Sequence, residues 1–409
     1  MNIEVLARTV ENSNSGNGEV YTEHTAFGHD SYILGGRAAG VCYGPENYFD
    51  AGIHKETAAI KRADRTSKSG HHSVFEHSYI TLMISGLSKM AAMTLNSTGA
   101  YVTSEKSARY TKMEPKTDLE KQLYEKWYTK FTELIAEKYP DKSIDINKLA
   151  MENARYLTDV FTPTNMIYTL SYRQMCYIIS WIDEYKEIAE KSSTDLYKKL
   201  WVELEELKDK FIGILGDSNY VIKPNKQTEF KFFRTLRGIE ENSVKPCVGD
   251  SYTIEYKCSF ACLAQLQRHR TLHYEMAYKD GYCSGYYIPE IIPNELGIRK
   301  QWVDDMIQLK KAGVYPQATL VFVKEQGSVE DFIQKANERM CARAQLEIMR
   351  NTENTFYQLK YYKNNMSDDI KSEFDQWFKE DGQTLKLKCQ VKKCLEPCVW
   401  GVTGRSRSI

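Results

Sequence analysis

The chain has 409 residues, 42% of them apolar and 27% charged: room for two or three domains with buried cores, and too apolar for disorder throughout. Fifty-five basic residues balance 55 acidic ones. No global basic field therefore exists to bind nucleic acid or an anionic membrane, and any anionic ligand must be held by local arginines.

The amino-terminal stretch MNIEVLARTVENSNSGNGEV shows no signal-peptide apolar region, and no run approaches the roughly 18 apolar residues of a membrane span. A cytoplasmic protein with no membrane partner is expected. The ten cysteines are then expected to be thiols. Cys389, Cys394 and Cys398 offer three ligands at irregular spacing with no C-x-x-C pair, so they read as thiols and no metal site is expected.

In chain order, a segment from Gly70, GHHSVFEHSYITLMISGLSKMAAM, places a strand over Tyr79–Ile84 before an apolar helical run and a polar loop. An amphipathic helix follows, with Leu119, Leu123, Trp127, Phe131 and Leu134 at helical spacing. A second segment from Ser251 repeats the plan, with a strand over Tyr252–Tyr256, a helical run, a loop, and a shorter helix around Trp302–Leu309. MENARYLTDVF from Met151 and YPQATLVFVKE from Tyr315 are related segments in the two halves. Gly216–Lys226 reads as a linker. The expected division is one copy over 1–215, a second over 216–381 and an extension over 382–409.

Three groups of residues have chemical promise. Arg268-His269-Arg270 follows Gln265 at the end of an apolar helical run, and arginine supplies a rigid donor fork that matches phosphate. Glu105, Ser107, Arg109 and Tyr110 spell E-x-S-x-R-Y, and in an extended chain Glu105, Ser107 and Arg109 share a face. His71, Ser73, Glu76 and His77 read as a helix cap, with Ser73 as N-cap and Glu76 closing a capping box, in preference to a metal site. The G-x-G-x-x-G, P-loop, H-E-x-x-H and G-x-S-x-G motifs are absent from the sequence.

These motifs resemble the flavin-dependent thymidylate synthases, whose members carry H-x-[ST]-x-F-E-H, Q-x-x-R-H-R, E-x-S-x-R-Y and an arginine shortly before A-Q-x-E-I. The resemblance spans roughly residues 20–210 and 240–360 and looks like a fused tandem copy. It implies an α/β (α+β) fold, with helices packed on a small mixed or antiparallel sheet in each copy. Neither copy has every motif. Counting from Ser107 places Ser97-Thr98-Gly99 in the R-H-R slot of the first copy; counting from Arg270 places Tyr278 in the serine slot of the second. Ala154-Arg155 has Thr319 opposite Arg155, and Arg339, before Ala344-Gln345, has Ile182 opposite it. The losses are complementary, so one composite site and a homodimeric pseudo-tetramer are expected.

By resemblance, FAD would meet His71, Ser73, Glu76, Glu105, Ser171, Arg173, Arg268, His269 and Arg270. The substrate dUMP would meet Gln265, Arg268, Glu105, Ser107, Arg109, Tyr110, Arg155 and Arg339, with Arg339 and Ser107 at the chemistry. NADPH and methylenetetrahydrofolate complete the implied reaction to dTMP. Two alternatives stand beside it: another one-carbon transfer to a pyrimidine nucleotide, such as hydroxymethylation, or nucleotide binding without catalysis. No cysteine nucleophile is implied, so Cys258, Cys262 and Cys283 read as packing residues.

Overall fold

A computed structural model describes residues 1–10, 26–44, 47–48, 51–140, 144–224, 247–278, 285–394 and 398. The elements run β1 (Asn2–Arg8), α1 (Phe27–Tyr43), α2 (Ala51–His54), α3 (Glu56–Ser69), β2 (Tyr79–Ser88), α4 (Lys89–Leu95), β3 (Tyr101–Glu105), α5 (Asp118–Lys138), α6 (Ile146–Ala154), β4 (Pro163–Ser171), α7 (Tyr172–Lys191) and α8 (Asp195–Leu215). They continue with β5 (Cys247–Val248), β6 (Ser251–Ser259), α9 (Phe260–Leu266), β7 (His273–Ala277), α10 (Leu296–Lys311), β8 (Leu320–Ser328), α11 (Val329–Arg339), α12 (Leu346–Lys360), α13 (Asp368–Asp375) and α14 (Lys388–Val391). The fold is thus helices with two four-stranded antiparallel sheets, as the α+β expectation had it.

Two compact units form, and they cut the chain differently from a single division near residue 215. The first unit holds Met1–Lys106 and Pro163–Lys231; the second holds Ser107–Thr162 and Phe232–Ile409. Helices α5 and α6, from the first half of the sequence, therefore belong to the second unit.

In the first unit the sheet order is β1-β2-β4-β3. Strand β2 alternates, burying Ile80, Leu82 and Ile84, and β4 does the same with Met166, Tyr168 and Leu170. Helix α1 packs closely on α3: a Cβ at Gly36 would lie 2.0 Å from the Ala59 carbonyl oxygen, so only glycine fits there.

In the second unit the order is β5-β6-β8-β7. An apolar cluster joins α5 and α6 to α10, with Trp127 edge-on to Trp302 at 4.7 Å between ring centroids. The segment after α6 pairs with the segment before β8: Val160 N–H donates to Tyr315 O (2.9 Å), and Gln317 N–H donates to Thr158 O (2.9 Å). On β8, Glu325 takes a position where alternation calls for an apolar side chain. It is fully buried, Lys335 Nζ bonds it at 2.7 Å, and the hydroxyls of Tyr252 and Tyr256 donate to it.

Four strands hand directly to helices, each through a serine. Ser88, Ser171, Ser259 and Ser328 cap α4, α7, α9 and α11 by accepting from the backbone N–H of Ala91, Gln174, Cys262 and Asp331. Two of these serines are also clasped by a carboxylate from a later helix. Glu203 of α8 accepts from the Ser88 N–H and hydroxyl, and Glu347 of α12 accepts from the Ser259 N–H and hydroxyl.

No described helix is long and apolar enough to cross a membrane. Among the described residues no group of histidine, cysteine and acidic side chains stands ready to hold a metal ion. Cys389 is exposed and Cys394 and Cys398 are intermediate. Cys258 and Cys262 are buried, and burial pushes both thiols up, consistent with packing; Cys283 lies outside the described residues.

Candidate functional site

The second unit gathers residues from both halves of the sequence. Strand β3 stops at Glu105, and the chain turns at once: the N–H groups of Tyr110 and Thr111 both donate to the Ser107 carbonyl. Glu105, Ser107 and Arg109 therefore do not share an extended face, which corrects that reading; the turn breaks the alternation. The turn projects Arg109 into the second unit. There its Nε donates to Glu152 Oε1 (2.8 Å) and its Nη2 to the Arg343 carbonyl (2.6 Å). Tyr110 is exposed, with Lys148 Nζ 4.2 Å from its ring centroid.

Arg155 follows α6 and is only 4% exposed. Its Nη2 donates to the side-chain oxygen of Gln345, which also accepts from Gln265 Nε2. Gln265 sits on α9 just before Arg268-His269-Arg270. Arg268 and Arg270 are exposed and His269 is buried. Arg339 ends α11, where its Nε donates to His269 Nε2 (2.7 Å) and its Nη2 to the Gln265 carbonyl (3.3 Å).

Like charge is concentrated here. Burial holds Arg155 below its ordinary value, Tyr156 and Glu152 oppose that, and Arg109 adds to it. Burial likewise lowers Arg339, with Glu338 opposing and Arg109 again adding. Guanidinium groups do not give up their proton in proteins, so these arginines stay charged and favour an anion beside them. Burial, then Arg339 and Lys335, lower His269 to about 2, so the imidazole is neutral. It then carries its proton on Nδ1, because Nε2 accepts from Arg339.

The remaining expected residues lie in the first unit. Glu76 accepts from the Ser171 hydroxyl (2.8 Å) and pairs with Arg173 Nε. Ser73 is exposed and is not an N-cap: the short 3-10 turn His72–Glu76 starts after His71, and no side chain caps it. The S-x-x-E pattern misled because Glu76 is held by Ser171 and Arg173 instead. His71 is exposed, 5.9 Å from the Tyr43 ring. Glu105 pairs with Lys89 Nζ, both side chains nearly buried.

Strand register tests the matched positions. Ser171 pairs with Tyr79 and Ser328 with Ser251, while Pro163 pairs with Ser88 and Leu320 with Ser259. Carried along the chain from these pairs, Arg339 matches Ile182 and Ser107 matches Tyr278, as counting along the sequence had them. Thr319, however, matches Thr162, and Arg155 matches Ala312 beyond α10. The match of Arg155 to Thr319 is corrected, because Thr319 abuts its strand and Arg155 does not.

Sequence reasoning missed Glu152, Tyr156 and Gln345 as members of the cluster. Glu152 had a signal, standing on the same helix face as Arg155, but no local motif joins Gln345 to Arg155.

Fold and site together define the class: an α+β protein with a half-buried arginine cluster suited to a small anionic ligand. Residues 30–207 match the model of the family described as thymidylate synthase complementing protein, and over that span the chain is similar to that family. No curated protein sequence matches it. Among solved structures it is similar to the flavin dependent thymidylate synthase ThyX from Helicobacter pylori complexed with FAD and dUMP, at 15% identity and TM-score 0.31, covering 54% of this chain and 98% of that one. It is also similar to a UMP/dUMP methylase, PolB from Streptomyces cacaoi, bound with 5-Br dUMP, at 18% identity and TM-score 0.28, covering 44% of this chain and 76% of that one.

Proposed function

We propose that the chain is a flavin-dependent thymidylate synthase-like enzyme that converts dUMP to dTMP, with methylenetetrahydrofolate as carbon donor and NADPH as reductant. One observation carries the reading. Arg109 and Arg155, from the first half of the sequence, share the second unit with Gln265, His269 and Arg339 from the second half. That supports a tandem-duplicated chain in which each half kept what the other lost, and two such chains would pair into a pseudo-tetramer.

Arg109 and Arg155, with exposed Arg268 just after Gln265 in the chain, supply the donors a nucleotide phosphate needs. Ser107, Tyr110 and Gln265 complete the dUMP set. Arg339, held by neutral His269, favours a negative charge on the uracil ring electrostatically. The donor chemistry also fits FAD, since exposed Arg268 and Arg270 flank His269 and suit a diphosphate. The rest of the proposed FAD set, His71, Ser73, Glu76, Glu105, Ser171 and Arg173, belongs to the first unit. Bound flavin supplies the hydride chemistry; these side chains bind and orient.

The deciding experiment incubates the protein with FAD, dUMP, NADPH and methylenetetrahydrofolate and identifies the product by mass. A dTMP product supports the reading. A product carrying one additional oxygen points to hydroxymethylation. A second reading, nucleotide binding without turnover, is favoured by Glu105, which is engaged by Lys89 in the first unit. Protein that stays colourless after added FAD, yet binds dUMP, favours that reading.

A further inference from the structure

We infer that Gln345 is a positioning residue that sets the polarity of Gln265, so that the site meets its ligand at this point with an acceptor and requires an N–H or O–H donor in return. The inference rests on the nucleotide reading above and concerns which ligand atoms the site selects.

The argument starts at Glu347, which accepts from the Ser259 N–H (2.8 Å), the Ser259 hydroxyl (2.6 Å) and the Tyr156 hydroxyl (2.6 Å). Tyr156 has one proton, and Glu347 takes it. The Tyr156 oxygen can then only accept, and Gln345 Nε2 donates to it (2.5 Å). That fixes which way the Gln345 amide points: its oxygen faces Arg155 and Gln265. Arg155 only donates, which agrees. Gln265 must therefore also turn its nitrogen towards Gln345, and the same nitrogen donates to the Ala261 carbonyl (3.2 Å).

Both amide hydrogens of Gln265 are thus engaged. Its oxygen is sealed from solvent and has no hydrogen-bond partner, and Arg155 Nε is in the same state. Buried polar atoms are normally partnered, so a carbonyl and an N–H left open on two residues that bond the same Gln345 oxygen mark where a ligand donor and acceptor belong. On a pyrimidine deoxynucleotide the donor is the ring imide N–H or the sugar 3′-hydroxyl. A site built on such a bond rejects an analogue that lacks the donor.

The test measures binding of dUMP, 3-methyl-dUMP and 2′,3′-dideoxy-UMP to the full-length protein by calorimetry, for the wild type, Gln345→Glu, Gln345→Leu and Tyr156→Phe. In the wild type, at least one analogue should bind on the order of tenfold or more weakly than dUMP. Gln345→Glu keeps an acceptor for Arg155 and Gln265, so that ratio should persist. Gln345→Leu frees the Gln265 amide to turn, and the ratio should fall to within about threefold. Tyr156→Phe leaves Arg155 donating to the Gln345 oxygen, so the ratio should persist there as well, and Gln345→Met serves in place of Gln345→Leu if that variant does not fold. Equal binding of all three ligands by the wild type overturns the inference. So does a ratio unchanged in folded Gln345→Leu or Gln345→Met, which would mark a steric effect of the methyl group. If the wild type binds no dUMP, the nucleotide reading itself fails and takes this inference with it.

Discussion

The two sheets share one frame. Each runs in the same strand order, each passes from strand to helix through capping serines, and in each a later helix returns a glutamate to clasp the first of those serines. The difference lies in what is mounted on the frame. Where the second unit has Arg268-His269-Arg270 and Arg339, the first has Ser97-Thr98-Gly99 and Ile182. Where the second buries the Glu325–Lys335 pair, strand register matches Tyr168 and Ile178, which need no partner charge. A frame held by backbone ladders and caps tolerates exchange at the ends of its strands and helices, and there the two units differ.

The largest break in that comparison should come from Lys335→Met. It leaves Glu325 buried without its cation, and should cost about 3–5 kcal/mol in urea unfolding. Ile178→Val, at the matched position of the first unit, should cost only about 1 kcal/mol. A similar loss at both positions would show that the ion pair does not set the second unit apart.

The charged cluster should matter for activity in the same one-sided way. Arg155→Ala should lower kcat/KM for dUMP by roughly 100-fold, or about 2.7 kcal/mol. Thr98→Ala, in the slot matched to His269, should leave it unchanged, because Thr98 lies in the first unit, outside the arginine cluster of the second, and its hydroxyl bonds the Leu95 carbonyl in its own turn. Steady-state kinetics on the two purified variants decide this.

The glutamate clasps should differ by burial. Glu347→Ala strands the Ser259 and Tyr156 donors in the interior and should cost about 2–3 kcal/mol. Glu203 is half-exposed, so Glu203→Ala should cost about 1 kcal/mol or less. Equal losses in thermal or urea unfolding would show that exposure does not separate the two clasps.

The smallest effect is a pH slope. The native His269 pKa lies near 2 against an ordinary 6.5, so the unfolded chain binds the extra proton between those values. Its contribution is present above about pH 6.5 and is lost as pH falls, by at most about 1.4 kcal/mol per pH unit. Burial raises Glu347, which acts with the opposite sign: its contribution is present below its ordinary value and is lost as pH rises through the native one. Comparing wild type with His269→Gln removes the Glu347 effect, since both proteins carry it. The stability advantage of the wild type should shrink from pH 7 to pH 5, and a constant difference would show that native His269 takes up its proton as the unfolded chain does.

Much of this was legible in the chain itself. Alternating Ile80, Leu82 and Ile84 announced β2, and the spacing of Leu123, Trp127 and Phe131 announced α5, because burial of one face leaves a period in the sequence. The arginines of the site were visible as motif residues for the same local reason. The tertiary structure alone decided their company. Pairing of Thr158–Val160 with Tyr315–Gln317 ties together segments more than 150 residues apart and seats Arg155 beside Gln345. Complementary surfaces and hydrogen-bond direction set such contacts, and neither leaves a period along the chain. The amide of Gln265 shows it most plainly: its identity is written in the sequence, while the face it turns to a ligand depends on Glu347, reached through Tyr156 and Gln345.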